Sequence, residues 1–236
     1  MLIIHDNRLP QEYVNALQRE LPDADLVPFR GEGVYESILS HPDIHLFKLA
    51  EDATIHSPAV GGDFLTILRG RGIGLIKGEE NPFGKYPDTA VYNAVRVGGV
   101  LLHNSEHTDE KILEECASRG VKIVDVKQGY ARCSVIPVGA RGLITSDGGI
   151  ASAASGEGLD VLFISSGEIE LPGEENGFIG GASGTLADGT VVFLGEIGCH
   201  PQGTEISDFL AKYDMASISL PGLPLYDAGT LLIYDK

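Results

Sequence analysis

Apolar and polar positions alternate along this chain in one recurring arrangement, most complete between Tyr86 and Gly129. Tyr86-Pro87-Asp88 precedes an apolar run, TAVYNAVRV, which predicts a strand over 89–97. Gly98-Gly99 turns the chain into a second strand, VLL, ending at His103-Asn104-Ser105. Thr108 is placed to cap a helix whose first turn holds Asp109 and Glu110, where carboxylates suit the positive end of the dipole. Ile112, Leu113 and Cys116 give that helix an apolar stripe, and Arg119-Gly120 stops it. A third strand, VKIVDV, completes a β-β-α-β unit.

The same order repeats on both sides. His41-Pro42-Asp43 opens a copy with strands IHLFKL and ATIH, a helix capped by Asp63 with Phe64, Ile67 and Leu68 on one face, and the strand LIKG. Tyr130 opens another: ARCSVIPV, a turn over 139–142, LITS, an Ala- and Gly-rich helix over 149–155 and the strand DVLFIS. Glu174-Glu175-Asn176-Gly177 leads into the next, where Ala187-Asp188-Gly189 signals a hairpin, VVFLG is the second strand, and Thr204 caps a helix before MASISL. The N-terminus supplies only β-α-β: LIIH, a helix from Pro10 through Val14, Leu17 and Leu21, and a strand over 25–29. The strand it lacks is the last one, TLLIYD, after Asp227-Ala228-Gly229. Unit starts at Asp43, Asp88, Tyr130, Phe178 and Asp227 recur about every 45 residues, inside the range of radial repeats. The expectation is one α/β domain over 1–236: a five-fold pseudo-symmetric α/β-propeller of ββαβ units, closed where the two terminal strands pair and leave no exposed edge. An open parallel sheet is the alternative, but it would need a helix between every pair of strands, and here hairpins alternate with crossovers.

Composition narrows what such a domain does. Among 236 residues, 17 Lys and Arg face 34 Asp and Glu, a formal charge of -17 that disfavours nucleic acid and attracts cations. With 43% hydrophobic residues and 31 Gly the chain reads as globular and turn-rich. Cys116, Cys133 and Cys199 are too few and scattered for a disulfide framework or a zinc site, so no metal or cofactor is expected. The N-terminal MLIIHDNRLPQEY lacks signal-peptide character, and no apolar run reaches the ~20 residues of a membrane span, so the expected compartment is the cytoplasm, away from membranes.

Five β-β-α-β units closed by the two termini resemble the pentein fold of guanidino-group-modifying proteins. The resemblance spans essentially the whole chain and rests on the repeat pattern; the chain also resembles uncharacterised bacterial proteins assigned to this fold. The family includes deiminases, dimethylarginine dimethylaminohydrolases, amidinotransferases and a non-enzymatic ribosome anti-association factor. In the enzymes a His opens the first strand of one unit and a Cys nucleophile starts the last strand. By position these fall on or near Tyr130 and Thr230, and neither matches. Tyr has too high a pKa to move protons at neutral pH, and Thr without an adjacent base is a poor nucleophile. The resemblance therefore implies the fold without the usual Cys/His hydrolase or transferase chemistry. Cys133 beside Arg132, and Cys199-His200 before a helix, are the remaining thiols for a catalytic role; a structural role is the alternative for each.

Strand entries of one polarity collect at one mouth of such a ring. Asp43, Asp88 and Asp227 lie at three of them, with Glu174-Glu175 before a fourth, and convergent carboxylates there suit a guanidinium or amine. Tyr92, Asn93, Tyr130 and Thr230 are expected to add aromatic and polar contacts. Turn chemistry explains the Pro-Asp pairs equally well. It also accounts for His5-Asp6-Asn7, His56-Ser57-Pro58 and His103-Asn104-Ser105, which end three second strands. Two functions stay open: a small-molecule protein, either an atypical guanidino-modifying enzyme or a binder of a small cationic ligand, or a protein-interaction module like the ribosome-associated relative, with the lining of the channel as the discriminator. No protein partner is specified.

Overall fold

A computed structural model describes residues 1–235. The N-terminal unit is β1 (Leu2–Asp6), α1 (Gln11–Glu20) and β2 (Asp25–Phe29). One helical turn, α2 (Pro42–His45), then precedes β3 (Leu46–Ala50), β4 (Ala53–His56), α3 (Gly62–Gly70) and β5 (Gly74–Lys77). The next unit is β6 (Val95–Val97), β7 (Val100–His103), α4 (Glu110–Ser118) and β8 (Lys122–Asp125). It is followed by β9 (Val135–Val138), β10 (Gly142–Thr145), α5 (Gly148–Gly156) and β11 (Asp160–Phe163). After β12 (Ile169–Glu170) come β13 (Ser183–Thr185), β14 (Val191–Phe193), α6 (Gly203–Ala211) and β15 (Ser217–Ile218). The chain ends with β16 (Leu225–Tyr226) and β17 (Leu232–Tyr234).

These strands make a mixed α/β fold of five three-stranded sheets wired alike, plus the short pair β12–β16. In each three-stranded sheet the middle strand pairs antiparallel with one neighbour and parallel with the other, the parallel step crossing through a helix. The N-terminal sheet runs β17-β1-β2, with Ile3 opposite Ile233 and Ile4 opposite Leu232, so the two chain ends share it. Each sheet is open, and none closes on itself.

Middle strands are apolar at nearly every position because both faces are buried. Ile3 joins a core with α1 and β14, whereas its neighbours Leu2 and Ile4 join a core with α3 and β3. Leu101 packs with α4 and β3, Leu102 with α5 and β9; Leu143 and Ile144 divide in the same way. The period of two thus hands alternate side chains to the sheets on either side. Five such cores link consecutive sheets, the fifth joining the last sheet to the N-terminal one through α1.

Several local expectations shift. Asp109, not Thr108, caps α4: its carboxylate accepts from Lys111 N at 2.9 Å, while the Thr108 hydroxyl donates to Asn104 O. Helices α3 and α6 begin one residue early, leaving Asp63 and Thr204 inside the first turn. The Gly-rich α5 forms because Asp147 caps it through Ile150 N and Ile150 and Ala154 are buried. First strands are shorter than expected. Residues 89–94 and 131–134 are turns, closed by bonds such as Asn93 N to Ala90 O and Ser134 N to Tyr130 O. Those turns, with α2, carry the polar side chains described next.

Candidate functional site

Asp43, Asn93, Cys133 and Thr230 come from four different units and meet in one buried cluster. The Cys133 thiol donates to Asp43 Oδ2 at 3.0 Å, and the Thr230 hydroxyl lies 2.8 Å from the same oxygen. Asn93 braces the arrangement from behind. Its Oδ1 accepts the backbone N–H groups of Arg132 (2.8 Å) and Cys133 (3.1 Å), and its Nδ2 lies 3.1 Å from Cys133 Sγ. Asp43 Oδ1 is buried without a hydrogen-bond partner.

Backbone conformation is spent to achieve this. Thr230 sits at φ 69°, rare for a β-branched residue and worth roughly 1–3 kcal/mol of strain. Gly229 before it has the same φ, and a Cβ there would lie 2.1 Å from His41 Cβ, so only glycine fits. The carbonyl of Gly180 lies 3.1 Å from the Thr230 hydroxyl, and a Cβ on Gly180 would strike three carbonyl oxygens of residues 132–135. These close approaches hold residues 132–135, 180 and 229–230 in one block.

A cavity of about 360 Å³ opens beside the cluster. Cys133 and Asp227 lie on its floor, Tyr35, Tyr130 and Phe178 form its walls, and Glu174 and Glu175 stand at its edge; among the described residues no Lys or Arg lines it. Asp227 accepts from Phe178 N (2.8 Å) and Gly229 N (2.9 Å). Burial nevertheless raises its pKa, with His41 and the two N–H groups opposing. The imidazole of His41, also lining the cavity, lies between two carboxylates, 3.9 Å from Asp227 Oδ1 and 3.9 Å from Asp6 Oδ2. The Tyr130 hydroxyl bonds to Thr89 and lies 3.0 Å from that of Tyr35, and burial holds it protonated. Burial, then Asp43, pushes the Cys133 thiol well up, so it rests as the neutral thiol and not the thiolate.

Not every expected residue is here. Asp88 is exposed on a turn, its backbone N–H bonded to Lys85 O, because residues 85–88 loop away before the chain enters β6. Tyr92 points elsewhere: its hydroxyl donates to Glu80 O at 2.7 Å and lies 3.2 Å from Asp109 Oδ2, and its ring lines a different cavity. Cys199 is exposed, and His200 is a buried turn residue whose Nδ1 accepts from Gln202 N; neither lines the acidic cavity. His5 and His56 are bound within their own turns, with Nδ1 at 2.8 Å from Asp6 O and 2.9 Å from Ser57 O. Sequence reasoning passed over His41 and Tyr35. His41 carried a signal, since it opens the same His-Pro-Asp step that supplies Asp43. Tyr35 sits outside any repeat and carried none.

Comparison with known proteins gives the fold a context. A family model described as "Family of unknown function (DUF6873)" matches residues 4–232. Among curated proteins, none matches the chain by sequence. A dimethylarginine dimethylaminohydrolase, solved as an adduct with 4-chloro-2-hydroxymethylpyridine, is similar at a TM-score of 0.54 and 12% identity, covering 93% of this chain and 91% of that one. Inosamine-phosphate amidinotransferase of Streptomyces griseus is similar at 0.53 and 13%, covering 95% and 82%. SxtG, an amidinotransferase of saxitoxin biosynthesis from Microseira wollei, is similar at 0.50 and 11%, covering 99% and 96%. At such identities the likeness shows the fold alone, the pentein fold of guanidino-group-modifying proteins.

Proposed function

The chain belongs to the family of unknown function matched over residues 4–232, and we propose that it binds a small cation, a guanidinium or amine, in the acidic cavity. We infer as well that its five sheets stand about one axis as a pseudo-symmetric α/β-propeller, with that cavity at one mouth. The cyclic run of cores supports the ring. The observation that carries the ligand class is the lining: three carboxylates (Asp227, Glu174, Glu175), three aromatic rings and, among the described residues, no Lys or Arg. A cation entering there exchanges water for charged hydrogen bonds and ring faces, each charged bond being worth about 1.5–3 kcal/mol. The solved relatives named above include two amidinotransferases, which accords with a guanidino-sized ligand.

Cysteine-dependent hydrolysis does not fit this site. Thr230 holds the position where the family's nucleophile is expected, and its hydroxyl is tied to Asp43 and Gly180 O. Cys133 is a protonated thiol whose hydrogen bond ends on a carboxylate, an arrangement that opposes ionisation. The open cavity favours a ligand-binding role over a plugged interaction module. Calorimetry with arginine, agmatine, creatine and simple polyamines tests the proposal. At least one is expected to bind in the micromolar range, and Asp227→Asn and Glu174→Gln are each expected to weaken it about ten-fold or more. The proposal fails if nothing binds better than millimolar, or if both variants bind as the parent does. Formation of citrulline from arginine, lost on alkylation, would overturn the negative half.

A further inference from the structure

We propose that the opposite end of the axis is a second binding site, for a small oxyanion held by Arg132. A larger cavity of about 480 Å³ opens there, lined by residues from β3, β6, β9 and β17, with Thr185 of β13 completing the circle. Each of these is an edge strand of its three-stranded sheet, so each turns one row of backbone groups away from its ladder. Among the described residues three cations line the cavity; Arg96 is exposed and donates to Gly98 O at 2.8 Å, and the other two answer the edge groups. Lys48 Nζ donates to Ile233 O at 2.5 Å and to Glu51 Oε1 at 2.5 Å, which occupies its charge. Arg132 Nη1 donates to Val135 O at 2.8 Å.

That single acceptor is all that the guanidinium of Arg132 meets among the described residues, although such a group carries five N–H donors. Among the described residues it forms no ion pair. Half-buried at the cavity wall, it leaves its remaining donors facing the cavity, and its planar fork matches the two oxygens of a carboxylate or phosphate. The carboxylates that also line the cavity stand in its exposed parts. Glu51 is neutralised by Lys48, while Asp188 accepts from Thr190 N at 2.8 Å and Asp214 is exposed. The proposal is independent of the cation site, because Arg132 lines this cavity and its neighbour Cys133 lines the other.

The test is thermal unfolding and calorimetry with inorganic phosphate, sulfate and malonate, each against chloride at matched ionic strength, since phosphate and sulfate stabilise many proteins non-specifically. The intact chain is expected to gain several degrees with a saturable response, and phosphate against malonate separates a phosphoryl from a carboxylate ligand. Arg132→Met should weaken binding at least ten-fold, and Arg132→Lys should restore part of it. Where a variant folds poorly, hydrogen exchange on the parent chain provides the second readout, with added protection expected at 132–138 and 231–233. Equal stabilisation in Arg132→Met, a response no larger than that of chloride, or protection confined to other segments overturns the proposal.

Discussion

The two cavities meet at the peptide between Arg132 and Cys133, yet they are built from different material. The acidic one is made of turns: α2, residues 89–94, 131–134 and the left-handed pair Gly229-Thr230. Irregular backbone lets side chains from four units converge at hydrogen-bond distance, at the expense of local strain. The Arg132 cavity is built around regular strand edges, where the pleat fixes side-chain direction and leaves backbone carbonyls to be answered by Lys48 and Arg132. The difference is one of origin for the charge. In the first cavity the polar groups were placed by turn chemistry, and in the second the cations answer what the sheets left unpaired.

The sharpest way to break this comparison is to remove the strand that serves both ends. Thr230 belongs to the acidic cluster, while Leu231 to Ile233 line the Arg132 cavity and Leu232 to Tyr234 pair with β1. Truncation after Gly229 is expected to abolish the cooperative unfolding transition in urea, since it exposes β1 and opens two buried cores. A truncated chain that still unfolded cooperatively would mean that the terminal strand is an accessory.

Acid should distinguish the ends next. His45 on α2 is 1% exposed, and burial lowers its pKa to about 4, with His41 adding to the effect and the Leu39 carbonyl opposing. A histidine whose folded pKa lies below its unfolded value contributes stability in full above about pH 6.5 and loses it as pH falls toward about 4. For His45 that amounts to about 3 kcal/mol. Burial lowers His5, His56, His103 and His200 as well, so they act in the same direction. Urea midpoints should therefore fall between pH 7 and 4.5, and His45→Gln should flatten part of that slope. Hydrogen exchange is expected to show loosening around α2 before the strands of the Arg132 cavity. Unchanged midpoints, or loosening of the strands first, would contradict this.

The smallest effect concerns thiol reactivity. Cys116 and Cys133 are buried, burial raises both their pKa values, and only Cys199 is exposed. Native protein treated with iodoacetamide at pH 7.5 should take about one label, at Cys199, with Cys133 reacting only after unfolding. Rapid native labelling of Cys133 would show a thiolate and reopen cysteine catalysis.

Much of this was legible in the chain itself. Alternating apolar positions, Gly-containing turns and helix stripes recur at one spacing, so the β-β-α-β order and the pairing of TLLIYD with LIIH followed from the sequence, because period and turn chemistry are local properties. Asp43, Tyr130, Asp227 and Thr230 were suspect by position at a strand entry, and Asn93 and Cys133 by position within an expected first strand. Their convergence was not readable, nor was the departure of Asp88 and Tyr92. Asp88 and Asp43 share the same Pro-Asp step, but one turn folds outward to solvent and the other becomes a buried helical turn whose Asp43 N–H donates to Gly229 O. Arg132 looked like an incidental neighbour of a cysteine until the edge strands were seen to surround it. Sequence sets which groups stand at a strand end; the packing of five sheets against one another decides which side of a turn is buried, and so which of those groups meet.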